Sequence, residues 1–306
     1  GGVIGGATGR ERRGRHVLVS AIEHPSVLEP ARELALRGFE VEEVPCGPGG
    51  VVDPDDVRRR MRPDTVLVAL IAVNNEVGTV QPVREAARLV HEAGALLHCD
   101  AAQAPGKVAL DAFRDADFLT LSSHKAYGPK GAAALVVRSK GGFRPKPILF
   151  GGGQEEGLWP GTANVAAVAG FGRAMALAAA RLEADRVRIA ELCDVLVGGL
   201  AAKFPGSRRN GDPAATVPQC ASVILGGVAG ETVLSALARG GVAASFGSAC
   251  ATESNEPSHV LTAMGLAPAE CRRTLRFGIG RFTTREEIEH VLAVIRGVGV
   301  GPQTPM

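Results

Sequence analysis

Aromatic side chains are scarce in this chain, 4% of its 306 residues, too few to suggest the base-stacking platforms of a nucleic-acid binder. An excess of charge of one sign is lacking as well. The 34 basic and 32 acidic residues leave a formal net charge of +2 and are spread along the chain, so no basic stripe for nucleic acid is expected. Arg12, Arg13 and Arg15, like Arg58, Arg59 and Arg60, read as solvated helix faces. No apolar run reaches the roughly 20 residues needed to span a bilayer, and no charged, cleavable leader is visible, so no membrane partner and a cytoplasmic location are expected. The cysteines at 46, 99, 193, 220, 250 and 271 form neither CxxC pairs nor a dense framework, which fits a reducing compartment and gives no metal site. Internal repeats and low-complexity segments are absent. An initiating methionine is missing too, and Gly1 to Gly6 runs straight into an apparent mid-helix, so a fragment is expected.

What is present is a core. With 45% hydrophobic and 22% charged residues, the composition is that of a soluble globular protein, and the length suggests about two domains. Strands are predicted over 16–20, 40–44, 65–73, 95–99, 117–121 and 132–137. Helices are predicted over 25–37, over 53–62 with Asp53 as cap and Pro54 at its first position, and over 83–93 ended by Gly94. Strand and helix alternating at this rhythm, with apolar strands, argue for a mainly parallel sheet covered on both faces, whose ligands gather at the carboxyl ends of its strands. A glycine-rich loop over 151–162 leads into a long alanine-rich helical pattern, 164–204, expected to be interrupted. Beyond it, strands over 221–225, 242–245 and 274–279 and helices over 231–239, 258–264 and 285–296 read as a small α+β unit. The domains expected are therefore 1–162, and 163–306 comprising the linking helix and the small unit.

Chemistry is concentrated at the strand ends. Lys125, in Ser122-Ser123-His124-Lys125-Ala126-Tyr127-Gly128-Pro129-Lys130-Gly131, stands beside two hydroxyls and an imidazole after a buried strand, where a lysine can be a Schiff-base nucleophile or simply a surface charge. Asp100 ends another strand, where a buried carboxylate needs a donor or a cation; it is either a helix cap or the partner of a protonated pyridine nitrogen. His24 is on the same inferred edge, either structural or lying flat on an aromatic ring. With pyridoxal phosphate as the cofactor, Asn75 and Gln103 would reach the phenolate oxygen, and Ser122 and His124 the phosphate. Cys250 sits in a loop of small and polar residues that would leave its thiol exposed. Cys46, Cys193, Cys220 and Cys271 read as packing or surface residues and Cys99 as buried in its strand. Arg276, an arginine within a strand, is either a bidentate clamp on a substrate carboxylate or half of a structural ion pair.

Ile22-Glu23-His24-Pro25-Ser26-Val27, Val73-Asn74-Asn75-Glu76-Val77-Gly78, Asp100-Ala101-Ala102-Gln103, the Lys125 segment, and Gly247-Ser248-Ala249-Cys250 with Glu256-Pro257-Ser258-His259-Val260-Leu261 occur in one order and spacing. In that arrangement the chain resembles the cysteine desulfurases, in the class V branch of the fold-type I pyridoxal-phosphate enzymes, over nearly its whole length. The resemblance implies an α/β large domain with a mainly parallel sheet and a smaller C-terminal α+β domain. It implies pyridoxal 5'-phosphate held by Lys125 as the Schiff-base lysine, with Asp100 on the pyridinium, His24 stacked on the ring and Asn75 and Gln103 on the phenolate side. L-cysteine, its carboxylate on Arg276, would become alanine while Cys250 takes the sulfur as a persulfide, with proton shifts by Lys125 and His24. The Cys250 segment looks like the longer-loop form that hands sulfur to an iron–sulfur scaffold or a tRNA-thiolation protein. Thr162 would serve the phosphate site of the neighbouring subunit of a homodimer.

Two features depart from that pattern. Gly6-Ala7-Thr8 lies too close to the strand at 16–20 to be the family's phosphate-binding turn, which is therefore expected to be absent together with what precedes it. Trp159 stands where the glycine-rich loop generally carries an arginine, and the C-terminal tail is short. Other readings of the same residues are a selenocysteine or cystine lyase, an aminotransferase, or an inactive truncated paralogue that acts only by association.

Overall fold

The computed structural model describes residues 14–138, 145–247 and 257–299. Arg12, Arg13, the Gly6-Ala7-Thr8 run and Cys250 lie outside these. The described chain divides into two compact units. One comprises the residues up to Cys46, Val52–Asn74 and Gln81–Leu182; the other comprises Gly47–Val51, Asn75–Val80 and the residues from Glu183 onward.

The first unit is built on one sheet of six strands: β1 (His16–Ser20), β2 (Glu40–Val44), β3 (Thr65–Ala69), β4 (Leu96–Asp100), β5 (Phe118–Ser122) and β6 (Ala133–Val137). They lie in the order β2-β1-β3-β4-β5-β6. All neighbours are parallel except β5 and β6. Every residue of β1, β3 and β4 is buried, as continuous apolar strands covered on both faces should be. β2 departs from that pattern: Val44 is its one buried residue, and its Glu40 and Glu42 meet Arg62.

Helices α1 (Pro25–Leu36), α2 (Pro54–Arg60) and α3 (Val83–Glu92) follow β1, β2 and β3. α1 starts because His24 Nδ1 accepts the Ser26 N–H at 3.1 Å and Pro25 supplies a preset φ. It buries Val27, Leu28, Ala31 and Leu34, which join Val17, Val19, Leu67 and Phe118 in one core. Asp53 caps α2 as expected, its Oδ1 accepting the Asp55 N–H at 2.9 Å. Arg58 and Arg59 pair with Asp55 and Asp56 on the solvent side of that helix.

Helix α4 (Val165–Lys203) runs 39 residues without the expected interruption, as its alanine-rich stretch favours. It is also the one described helix that is, by length and composition, apolar enough to cross a membrane, where none was expected from the sequence. From Ile189 to Leu200, however, its apolar residues pack into the core of the second unit. There β7 (Arg208–Arg209), β8 (Cys220–Ile224), β9 (Ser245–Phe246) and β10 (Thr274–Gly278) form an antiparallel sheet in the order β7-β8-β10-β9. Helices α5 (Gly230–Arg239), α6 (His259–Ala263), α7 (Pro268–Cys271) and α8 (Arg285–Arg296) complete the unit. Leu275 and Phe277 of β10 join Val223, Val233, Leu237, Ile288, Val291 and Ile295 in the core. With period 2, Arg276 between them falls on the opposite face.

Segments 47–51 and 75–80 belong to this unit although they come from far earlier in the chain. Thr79 Oγ1 donates to the Gly50 carbonyl at 2.8 Å, the Val80 N–H donates to Ala215 O at 2.7 Å, and Val217 N–H to Gly78 O at 2.9 Å.

Candidate active site

Because β1, β3, β4 and β5 are parallel, their carboxyl ends share one edge of the sheet. That edge carries His24 four residues after β1, Asp100 as the last residue of β4, Ser122 as the last of β5, and Lys125 in the 3-10 turn His124–Ala126. Asn75, expected at the same edge, belongs to the second unit.

Asp100 is buried, 7% exposed, and its Oδ1 accepts the Ala102 N–H at 3.0 Å. Burial raises its pKa, opposed first by that N–H and then by the electrostatic influence of His24 and Lys125. A carboxyl so placed favours a cationic partner that would restore its ionised form. His24 is half-buried. Its Nδ1 accepts the Ser26 N–H and lies 2.8 Å from Ser26 Oγ, which leaves Nε2 as the nitrogen that bears the proton. Ser122 Oγ lies 3.0 Å from His124 Nδ1. Partial desolvation, with Lys125 and Lys130 adding their charge, lowers the His124 pKa.

Lys125 is exposed. Tyr127 turns the chain with φ 64°, and Gly128 returns so close to Ser123 that a Cβ there would lie 2.3 Å from Ser123 Oγ. Gln103 is turned to Lys107, whose Nζ it accepts from. Thr162 and Trp159 are exposed in the loop before α4, Trp159 by 57%.

In the second unit, Asn75 and Arg276 come together. Arg276 Nη1 donates to the Asn75 carbonyl at 2.8 Å, and Nη2 to Ser245 Oγ, its neighbour across β9 and β10, at 3.2 Å. Burial raises the Cys46, Cys193 and Cys271 thiols. Cys99, inside β4, is raised well above its usual range by burial and then by Glu23 and Asp100.

Sequence reasoning passed over two residues, Glu23 and Glu76. Glu23 is fully buried. Its Oε1 accepts from Ser20 Oγ at 2.7 Å and from the Ile71 N–H. Burial pushes its pKa up to about 8, opposed by Ser20 and reinforced by Asp100. Glu76 is 2% exposed and accepts from Ser258 Oγ. No local signal marks them: Glu23 stands between Ile22 and His24 and Glu76 between Asn75 and Val77, and only the fold buries them, where a charge is costly unless it is bonded.

A group with a protonated ring nitrogen, an aldehyde and an anionic arm fits these donors. For such a group Asp100 would be the buried acid, Lys125 the amine, and Ser122 and His124 the donors. Among the described residues, no cluster of three or more His, Cys, Asp or Glu is placed to hold a metal ion.

Comparison with known proteins agrees with the geometry. The sequence profile described as Aminotransferase class-V matches residues 3–291. Cysteine desulfurase IscS 1 of Archaeoglobus fulgidus is 41% identical over 97% of this chain and 77% of its own length. The mitochondrial cysteine desulfurase of Candida albicans is 42% identical over 92% of this chain and 58% of its own, so the chain spans little more than half of that relative. A solved structure described as a NifS-like protein superposes with a TM-score of 0.86 at 32% identity, covering 96% of this chain and 77% of that one. The chain belongs to the class-V aminotransferase family of fold-type I enzymes and, within it, to the cysteine desulfurases.

Proposed function

We propose that this chain carries the desulfurase reaction, removing sulfur from L-cysteine to give L-alanine and a persulfide on Cys250. The observation that supports it most is the meeting of Asp100, His24 and Lys125 at one strand edge in a chain of this family. Pyridoxal phosphate, with which the family works, supplies an electron sink when bound. Asp100 would hold its ring nitrogen protonated, His24 would support the ring, Asn75 and Gln103 would serve its phenolate side, and Ser122, His124 and a subunit partner's copy of Thr162 would take its phosphate. Gln103 must leave Lys107 to do so.

Arg276 fixes the substrate carboxylate with its planar fork. Lys125 Nζ and His24 Nε2 move the protons. The Cys250 thiolate then attacks the substrate sulfur: the S–S bond forms with the thiolate's electron pair as the C–S bond breaks, and the bonding pair of that C–S bond stays on carbon, where protonation completes alanine. One sulfur atom passes with no net oxidant. The persulfide goes on to an acceptor protein of iron–sulfur assembly or tRNA thiolation, and we place the reaction in a cytoplasmic homodimer. Cell fractionation checks the compartment, since fungal relatives are mitochondrial desulfurases.

The test is incubation with pyridoxal phosphate and L-cysteine. A visible absorption band that borohydride fixes onto Lys125, equimolar alanine and persulfide, and loss of both products in Cys250→Ala are expected. A protein that gains no band, or a Lys125→Ala variant that still fixes the cofactor at the same site, overturns the reading.

A further inference from the structure

Residues 248–256, which include Cys250, lie outside the described residues, but the positions on either side of them do not. Gly247 precedes the stretch and Ser258 follows it, and both meet the same side chain. Ser258 Oγ donates to Glu76 Oε2 and accepts the Leu261 N–H at 3.2 Å, capping α6. At Gly247, a Cβ would lie 2.9 Å from the same Oε2 and 3.2 Å from Ser258 Cβ and Leu261 Cδ1. Any side chain there would displace the carboxylate. The backbone beside it is engaged too, with Cys220 Sγ donating to the Glu76 carbonyl at 3.2 Å and Arg276 donating to the preceding carbonyl, that of Asn75.

The chain therefore leaves for Cys250 and returns from it at one buried carboxylate, one peptide away from the carbonyl that holds Arg276. We infer that Glu76 is a positioning residue for sulfur transfer, tying both flanks of the Cys250 stretch together and setting them in register with Arg276. The inference rests on the desulfurase reading. Its physical basis is that fixing where the chain leaves for Cys250 and where it returns limits the positions open to a group between those two points. Substrate binding, which the desulfurase reading assigns to Arg276, does not draw on the carboxylate itself.

The test follows a single turnover of the cofactor-loaded protein with L-cysteine, measuring Cys250 persulfide by alkylation and mass, and the cysteine-induced absorbance change. Amide hydrogen exchange of 245–247 and 258–262 is measured separately without cysteine. In Glu76→Ala, persulfide formation should slow by about tenfold or more, as expected for a misplaced reacting group, with faster exchange at both flanks. The cysteine concentration that half-saturates the absorbance change should stay within about threefold, since loss of positioning for a later step leaves binding in place. Glu76→Gln, whose amide oxygen still accepts from Ser258, should recover most of the rate. Gly247→Ala, which keeps the carboxylate but takes its space, should reproduce the loss and guards against a Glu76→Ala protein that fails to fold. Normal persulfide rates in Glu76→Ala and Gly247→Ala overturn the positioning role, even if flank exchange is faster. A wild-type protein that binds cofactor and forms no persulfide sinks the desulfurase reading instead, and the exchange data then stand apart from it.

Discussion

Glu23 and Asp100 are two carboxyls buried at one strand edge, and the charge of Asp100 adds to the cost of ionising Glu23. Glu23 has the larger consequence for stability. Its pKa is about 8 in the folded chain against an ordinary value of 4.5, so over that interval the folded state holds a proton the unfolded chain has released. Stability from this group is full below the lower value and is lost as pH rises through the upper one. Denaturant midpoints of the wild type should therefore fall as pH rises from about 5 to about 8, and Glu23→Gln should flatten that slope while keeping an acceptor for Ser20. An unchanged slope would mean that Glu23 is ionised throughout. None of this was legible locally, because Glu23 is buried against the Ile71 N–H, 48 residues away. Asp100 was legible because its own strand, Leu96–Asp100, carries it into the interior.

At the scale of elements, the turn after β5 presents Lys125, and its shape depends on Gly128. Ala at 128 would put its Cβ 2.3 Å from Ser123 Oγ and 3.0 Å from Ala174 Cβ, an overpacking that typically costs about 1–3 kcal/mol. Gly128→Ala should lower the thermal midpoint and weaken cofactor capture, and adding Ser123→Ala should restore part of both. Strictly additive losses in that pair would show that the two side chains do not meet. The elements themselves were readable wherever apolar period and caps agreed, as at Asp53-Pro54 and in the strands around Leu18 and Val68. Their ends were less so. The strand expected over 65–73 stops at Ala69, although Leu70 to Val73 remain buried, because apolar character marks burial and not ladder pairing. The strand expected over 242–245 is displaced to Ser245–Phe246, where pairing with Leu275 and Arg276 fixes it.

Over the whole molecule, each unit has its own core and its own buried charge. In the second, Arg281 Nε donates to Asp185 Oδ2 at 2.7 Å, with the side chains only 10% and 5% exposed. Arg188 donates to the carbonyls of Gly280, Arg281 and Thr283. Removing one partner of a buried pair costs about 3–5 kcal/mol, so Arg281→Ala should strip exchange protection from β8 and β10 before it affects β1, β3 and β4. Equal loss in all of them would show that the two cores melt as one. Membership of 47–51 and 75–80 in this unit could not be read from the sequence, since only contacts such as Thr79 with Thr216 assign them.

The acidic β2 reaches beyond catalysis. Its outer side, set with Glu40, Glu42 and Glu43, is an edge of the sheet, and an open edge is a template on which a like strand from another molecule can add. With glutamates at three of its five positions, two of them already paired with Arg62, β2 is a polar and occupied edge, and such an edge is a poor template for that addition.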